Sequence, residues 1–183
     1  MSRFPTPATI DEAPAASRRM LRAAEARFGR LPNIVRLLSV SPAALQGYLA
    51  LLEALDLGTL GAQTSERVAL AVAEANGCQY GLSQHVHQAR NRVGLDDAEI
   101  TANRSGASND LTADAAIRFA AKLAETPAAV GDDDLAALRA AGFDDAEVIE
   151  IVLHVGLNTL ISFVNKVGDT DLDFPLVKTR KAY

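Results

Sequence analysis

Residues 66–85 read ERVALAVAEANGCQYGLSQH, and this stretch decides the fold. From Glu66 to Asn76 the chain is an Ala-rich apolar run, interrupted by the charges of Arg67 and Glu74. It lacks the strict alternation of a half-buried strand and suits a closely packed helix. Thr64 or Ser65 is the expected N-cap, which puts Glu66 in the first turn, where a carboxylate favours the helix dipole. Gly77 can end the helix, because glycine accepts the left-handed backbone common at helix C-termini. A second helix then starts near Cys78 and runs through QYGLSQHVHQARNRV to Gly94. The break at Gly77 lets the second helix fold back on the first.

Helical spacing continues outward in both directions. AASRRMLRAAEARFG places Met20, Leu21, Ala24 and Phe28 on one face, with Gly29 as its stop. Pro32 opens the next helix. Ser41-Pro42 reads as an N-cap followed by proline at the first helical position, and Leu45, Tyr48, Leu49 and Leu52 share a face beyond it. GLDDAEI (94–100) is echoed by GFDDAEV (142–148), each with Asp followed three residues later by Glu, as in a capping box. Thr112 opens a helix through Ala124, Asp132 caps another through Ala141, and a last one runs from about Asp145 to Lys166. The prediction is an all-α fold of about eight helices, in one domain spanning 1–183. Residues 1–14, with three prolines, form an extended arm, and 167–183 an irregular tail.

Composition narrows the function. Hydrophobic residues make up 49% of 183, enough for a sizeable core, with no Trp and 5% aromatics. The formal net charge of -5 argues against a nucleic-acid partner, which needs clustered Lys and Arg. Arg18, Arg19, Arg22, Arg27 and Arg30 read as a solvated face. The N-terminus lacks the apolar run of a secretory signal. The longest apolar run, IVLHVGLNTLISFV, is too short to span a bilayer and carries His154 and Asn158. A soluble, cytoplasmic protein without a membrane partner is expected. The long apolar helix near the C-terminus also predicts a homo-oligomer.

The chain has a single cysteine, Cys78, so no intrachain disulfide can form. On a helix, positions 78, 81 and 85 share one face. Cys78 and His85 are then about 10 Å apart along the axis, and the position between them is Gly81. A cysteine at 81 would create Cys-x-x-Cys with a histidine one turn beyond. That pattern makes redox sense, because two thiols can pair and a helix N-terminus favours the reactive thiolate. A metal site from Glu66, Cys78, His85 and His87 fits poorly, since positions 85 and 87 diverge on a helix. Neither a metal nor a cofactor is expected.

ERVALAVAEANGCQYGLSQH resembles the core motif of the alkylhydroperoxidase D-like and carboxymuconolactone decarboxylase-like family. FGRLPNIVRLLSVSPAALQGYLALLEAL and EVIEIVLHVGLNTLISFVNKVGDTDLDFP are similar to the terminal segments of its peroxidase-related branch, so the resemblance covers nearly the whole chain. It implies the family's helical fold and assembly as trimers or hexamers. It also implies a catalytic set of Glu66, Cys78, Tyr80 and His85, with Gly81 where redox-active members carry the second cysteine. In those members that thiol attacks the peroxide, aided by the Glu and His, and the first cysteine resolves the sulfenic acid. Three readings of Gly81 stand: a natural non-peroxidase, a lone Cys78 served by an external thiol, or a substitution introduced at this position. The leading expectation is an antioxidant oxidoreductase, impaired at Gly81, acting on a small-molecule hydroperoxide with an external thiol reductant. The alternatives are a cofactor-free lyase or isomerase that uses His85 and Glu66 on a carboxylated lactone-like compound, and a non-catalytic binding protein that keeps the pocket.

Overall fold

The computed structural model describes residues 2–180, and every regular element among them is helical. Nine α-helices follow in chain order: α1 (Ala15–Phe28), α2 (Asn33–Leu38), α3 (Pro42–Asp56), α4 (Ala62–Ala75), α5 (Gln79–Asn91), α6 (Asp97–Asn103), α7 (Leu111–Glu125), α8 (Asp132–Ala140) and α9 (Asp145–Gly168). A single 3-10 turn covers Pro127–Ala129. Internal contacts divide the chain into two units, Met1–Leu57 with Val164–Asp173, and Gly58–Phe163 with Phe174–Tyr183.

The first unit is built on α1, α2 and α3. Ser41 caps α3, its hydroxyl accepting from the Ala44 N–H at 3.3 Å, with proline at the first helical position. Gly29 ends α1 at φ 74°, its N–H returning to the Glu25 carbonyl. Leu21 and Ala24 of α1, Ile34 and Val35 of α2, and Leu45 and Tyr48 of α3 form the core. Each large apolar side chain removed from water contributes about 1.5–3 kcal/mol. The N-terminal arm is pinned at its start, where the Arg3 N–H donates to the Gly168 carbonyl at 2.7 Å.

The second unit is organised around α4. Its residues from Arg67 to Glu74 are all buried, as for a helix surrounded on every side. Val68, Ala71 and Val72 pack with Ile117, Phe119, Leu138 and Ile151. Leu70 and Ala73 pack with Leu82, Val86 and Ile100. Alanines along α4 allow α5 and α7 to approach closely.

Several boundaries differ from the sequence expectation. α4 begins at Ala62 with Gly61 as its N-cap. The Ser65 hydroxyl donates back to the Gly61 carbonyl instead of capping, and Glu66 therefore lies in the second turn. α7 starts at Leu111, capped by Asp110, whose carboxylate accepts from the N–H groups of Thr112 and Ala113. α8 is preceded by Gly131, with Asp132 already helical. The sequence rule favours polar side chains at caps, whereas both glycines enter their helices through extended backbone. The helix expected to open at Pro32 is the six-residue α2, and the other eight helices have seven or more residues each.

The two DDAE motifs also part ways. Asp144 and Glu147 form a full capping box, at 2.9 and 3.0 Å. Asp96 accepts from the Glu99 N–H at 2.8 Å, but the Glu99 carboxylate turns inward to Arg67. Finally, α9 is longer than its central apolar run: at 24 residues, with a mean hydropathy of 1.6 over its most apolar window, its length and composition alone suffice to cross a bilayer.

Candidate thiol and acid–base site

The turn between α4 and α5 sets the geometry. The Gly77 N–H donates to the Glu74 carbonyl at 2.9 Å, and the Cys78 N–H to the Ala73 carbonyl at 2.8 Å. This pair of bonds is the Schellman pattern, and it requires a left-handed residue at its centre. Gly77 supplies it at φ 58°, where a β-carbon would be strained. Cys78 is thus fixed by the end of α4 and also serves as the N-cap of α5. Its Sγ accepts from the Gly81 N–H at 3.3 Å, and the residue is buried, with 2% of its surface exposed.

Gly81 faces this thiol. A β-carbon built on it would lie 3.2 Å from Cys78 Sγ, 3.7 Å from Cys78 Cβ and 3.6 Å from Ala73 Cβ. The last two are ordinary contact distances. A β-carbon at position 81 therefore fits beside Ala73 and needs only the Cys78 sulfur to move by a few tenths of an ångström.

The same hairpin brings Glu66 of α4 to His85 of α5. Glu66 Oε1 lies 2.8 Å from His85 Nδ1, with the side chains 12% and 16% exposed. An ionised carboxylate can only accept, so a neutral imidazole in this contact carries its proton on Nδ1. That leaves Nε2 as a hydrogen-bond acceptor. Glu66 is thus a partner of the histidine, not a first-turn charge.

Tyr80 packs toward the C-terminal segment. It is buried, and its ring meets Phe174 edge-on at 5.9 Å. His87 lies 5.6 Å from the same ring, and Ser83 accepts from the Val177 N–H at 3.0 Å. Positions 80, 83 and 87 form the stripe of α5 that receives residues 174–177, whereas Cys78, Gly81 and His85 share the side toward α4. His87 also bonds Asn91. Among the described residues, no group of three or more His, Cys, Asp or Glu side chains is arranged to hold a metal ion.

Sequence reasoning missed the buried ion pairs of this unit. Arg67 Nε donates to Glu99 Oε1 at 2.8 Å, with both side chains less than a tenth exposed. Burial pushes the Glu99 pKa up. Hydrogen bonds from Ser108, Asn103 and the Asn109 backbone, with the Arg67 charge, outweigh it and hold the group below the usual carboxylate value. Glu74, also buried, accepts from Arg104 Nε at 2.6 Å and from the Arg180 N–H at 2.5 Å. These pairs join residues about 30 or more apart, so no local pattern announces them. A hollow of about 330 Å³ beside Arg67, Asp96, Glu99 and Asp110 does not include Glu66 or His85.

The helical architecture, with its acid–histidine pair on a central hairpin, defines an alkylhydroperoxidase D-like fold. Residues 42–126 match the model of the Carboxymuconolactone decarboxylase family, which supports an alkylhydroperoxidase D and carboxymuconolactone decarboxylase-like family for this chain. A crystal structure of an alkylhydroperoxidase AhpD core, an uncharacterized peroxidase-related protein from Ralstonia eutropha JMP134, superposes with a TM-score of 0.83 at 22% identity, covering 94% of this chain and 92% of that one. An uncharacterized peroxidase-related protein from Silicibacter sp. TM1040 gives 0.80 at 22% identity, over 93% and 91%. A cysteine-to-alanine variant of the debrominase Bmp8, in complex with 2,3,4-tribromopyrrole, gives 0.78 at 20% identity, over 94% of each chain. No curated protein sequence matches the chain.

Proposed function

We propose that this chain is a peroxidase-related oxidoreductase in which dithiol turnover is disabled at Gly81 while the proton-handling pair remains. The observation that carries this reading is the 2.8 Å Glu66–His85 contact on the same hairpin as a lone, buried Cys78. Glu66 holds the imidazole by its Nδ1–H, and Nε2 exchanges the proton at the reacting atom. Hydroperoxide reduction at one thiol would proceed through three balanced steps. The Cys78 thiolate attacks the peroxide, giving alcohol and a Cys78 sulfenic acid after protonation. An external thiol condenses with that acid, releasing water. A second external thiol then frees Cys78 and leaves as the disulfide. A buried sulfur restricts both external steps. The test is hydroperoxide consumption with a dithiol and with a monothiol reductant. The expected result is little activity with either. Strong dithiol-dependent activity that survives Cys78→Ser would overturn the reading.

A second reading follows from the same pair, because a Glu–His unit needs no thiol. It is a cofactor-free lyase or isomerase acting on a carboxylated lactone-like compound, with His85 as general base or acid. Here Cys78→Ser would leave turnover intact and His85→Ala would remove it. A ligand held without turnover would instead mark a binding protein that keeps the family pocket. We further read the protein as a cytoplasmic homo-oligomer acting on a small molecule. The net charge of -5 supports the exclusion of nucleic acid.

A further inference from the structure

Residues 174–180 form neither helix nor strand, yet they are fastened along their length to the second unit. The Phe174 ring lies 5.9 Å from that of Tyr80 and 5.6 Å from that of His87. The Val177 N–H donates to Ser83 Oγ at 3.0 Å, and Val177 packs against the cluster of Leu70, Ala73, Leu82, Val86 and Ile100. The Lys178 carbonyl accepts from Arg104 Nη2 at 2.9 Å. The Arg180 N–H donates to Glu74 Oε1 at 2.5 Å, and its guanidinium reaches Ser105 Oγ.

These anchors fall on both sides of the Gly77 turn. Glu74 lies in the last turn of α4, four residues before Cys78, and its carbonyl accepts the Gly77 N–H. Tyr80 and Ser83 lie two and five residues after Cys78, at the start of α5. Val177 sits on the cluster that joins Leu70 and Ala73 of α4 to Leu82 and Val86 of α5. The segment therefore grips both arms of the hairpin that buries Cys78. Its own hold is light. Phe174 and Val177 are half-buried, whereas Pro175, Leu176, Lys178 and Arg180 are exposed. A segment with few buried apolar contacts opens at a lower free energy than the core beneath it. The sulfur, on a residue only 2% exposed, must meet an external thiol if a single cysteine is to turn over. That encounter needs a local opening.

We infer that residues 174–180 are a latch on the α4–α5 hairpin. Closed, the latch clamps both helices and seals Cys78. Released, it lets the first turn of α5 move away from α4 and admits a small thiol or disulfide to the sulfur. The use of this opening in turnover rests on the function proposed above, while the opening itself does not.

The test reads access to the sulfur and needs no turnover. Cys78 in the full folded chain is allowed to react with a small aromatic disulfide, its thiolate forming a mixed disulfide and releasing one coloured thiolate. The rate is followed in rising urea well below the unfolding midpoint. The parent should label with a much weaker urea dependence than global unfolding, because a local opening exposes little surface. Val177→Ala and Ser83→Ala, one on each side of the contact, should each raise the rate roughly five- to tenfold. Ile151→Val, in the other cluster of the unit, should lower global stability and leave labelling unchanged. Hydroperoxide consumption that survives Cys78→Ser would sink the peroxidase reading without moving any of these rates. Labelling that tracks global unfolding, labelling as fast as in the unfolded chain, or Val177→Ala and Ser83→Ala no faster than Ile151→Val would each overturn the latch.

Discussion

Replacing Gly81 with cysteine tests how much of a dithiol site the backbone already holds. A β-carbon at 81 lies 3.7 Å from Cys78 Cβ, within the roughly 3.5–4.5 Å spanned by the two β-carbons of a disulfide. Its 3.2 Å approach to Cys78 Sγ is tight for unbonded atoms but close to the roughly 3 Å expected across one angle of a formed disulfide. Residue 81 is inside α5, so the change also gains a few tenths of a kcal/mol in helix propensity. The new thiol would sit four residues before His85, with β-carbons about 6 Å apart, within reach of the base that Glu66 orients. A positioned acid–base group is worth about 10²–10⁴ in rate, so Gly81→Cys should exceed the parent by at least about 10²-fold in hydroperoxide consumption with a dithiol reductant. Oxidation should lower the intact mass of the variant by the two hydrogens lost on forming one disulfide, and His85→Ala in the same background should remove most of the gain. Failure of that disulfide to form in folded protein, or equal activity in parent and variant, would refute the geometric reasoning.

In the Gly81→Cys background, Glu66→Gln should cut activity by roughly 10²-fold or more, because an amide can donate to Nδ1 and hold the imidazole in the wrong tautomer; thiol content and circular dichroism should not change. Glu99→Gln leaves Arg67 buried with only its longer contact to Asp110, at 3.8 Å, and should cost about 3 kcal/mol, a loss of roughly 6–12 °C in Tm by calorimetry for a chain of this size. Glu150 accepts from the backbone N–H groups of Thr59 and Leu60, and those bonds, Thr59 first, hold its pKa below the usual carboxylate value. A group depressed in the folded state stabilises fully above its unfolded pKa, and that contribution is lost as pH falls through the folded value. The parent should therefore lose Tm more steeply than Glu150→Gln below about pH 4.5, with the two curves converging in acid. Parallel curves would refute this role.

Most of what could be read from the sequence was local. Ser41-Pro42 and Gly29 act at short range, and both do in the structure what their chemistry dictates. Gly77 marked the break that turns α5 back on α4, and the Glu66–His85 contact follows from that break. Helix starts were less legible, because Gly61 and Gly131 have no side chain to signal a cap, while Thr64, Ser65 and Asp132 nearby do. Tyr80 has a contact that its local sequence does not announce. Its neighbours in sequence belong to the site, but the stripe it shares with Ser83 and His87 is fixed by Phe174, a residue almost a hundred positions away. Buried charge was the least legible. Arg67 and Glu74 looked like polar interruptions of an apolar helix, and only their distant partners, Glu99 and Arg104, explain how they stay inside.

The position of Cys78 does not depend on what occupies 81. It is set by the Schellman turn, through the bonds of Gly77 and Cys78 to the last carbonyls of α4. His85 is held from the other side by Glu66. Between these two fixed points the chain presents a glycine where a β-carbon would stand 3.6 Å from Ala73 Cβ and 3.2 Å from Cys78 Sγ, so that the sulfur is the one neighbour that must give way. A core that had closed over the site would need to shift by ångströms to accept a thiol, which close-packed interiors resist. On the function proposed above, the His85 imidazole and the Cys78 sulfur flank position 81 on one hairpin, and the Gly81→Cys comparison decides whether that hairpin can run dithiol chemistry.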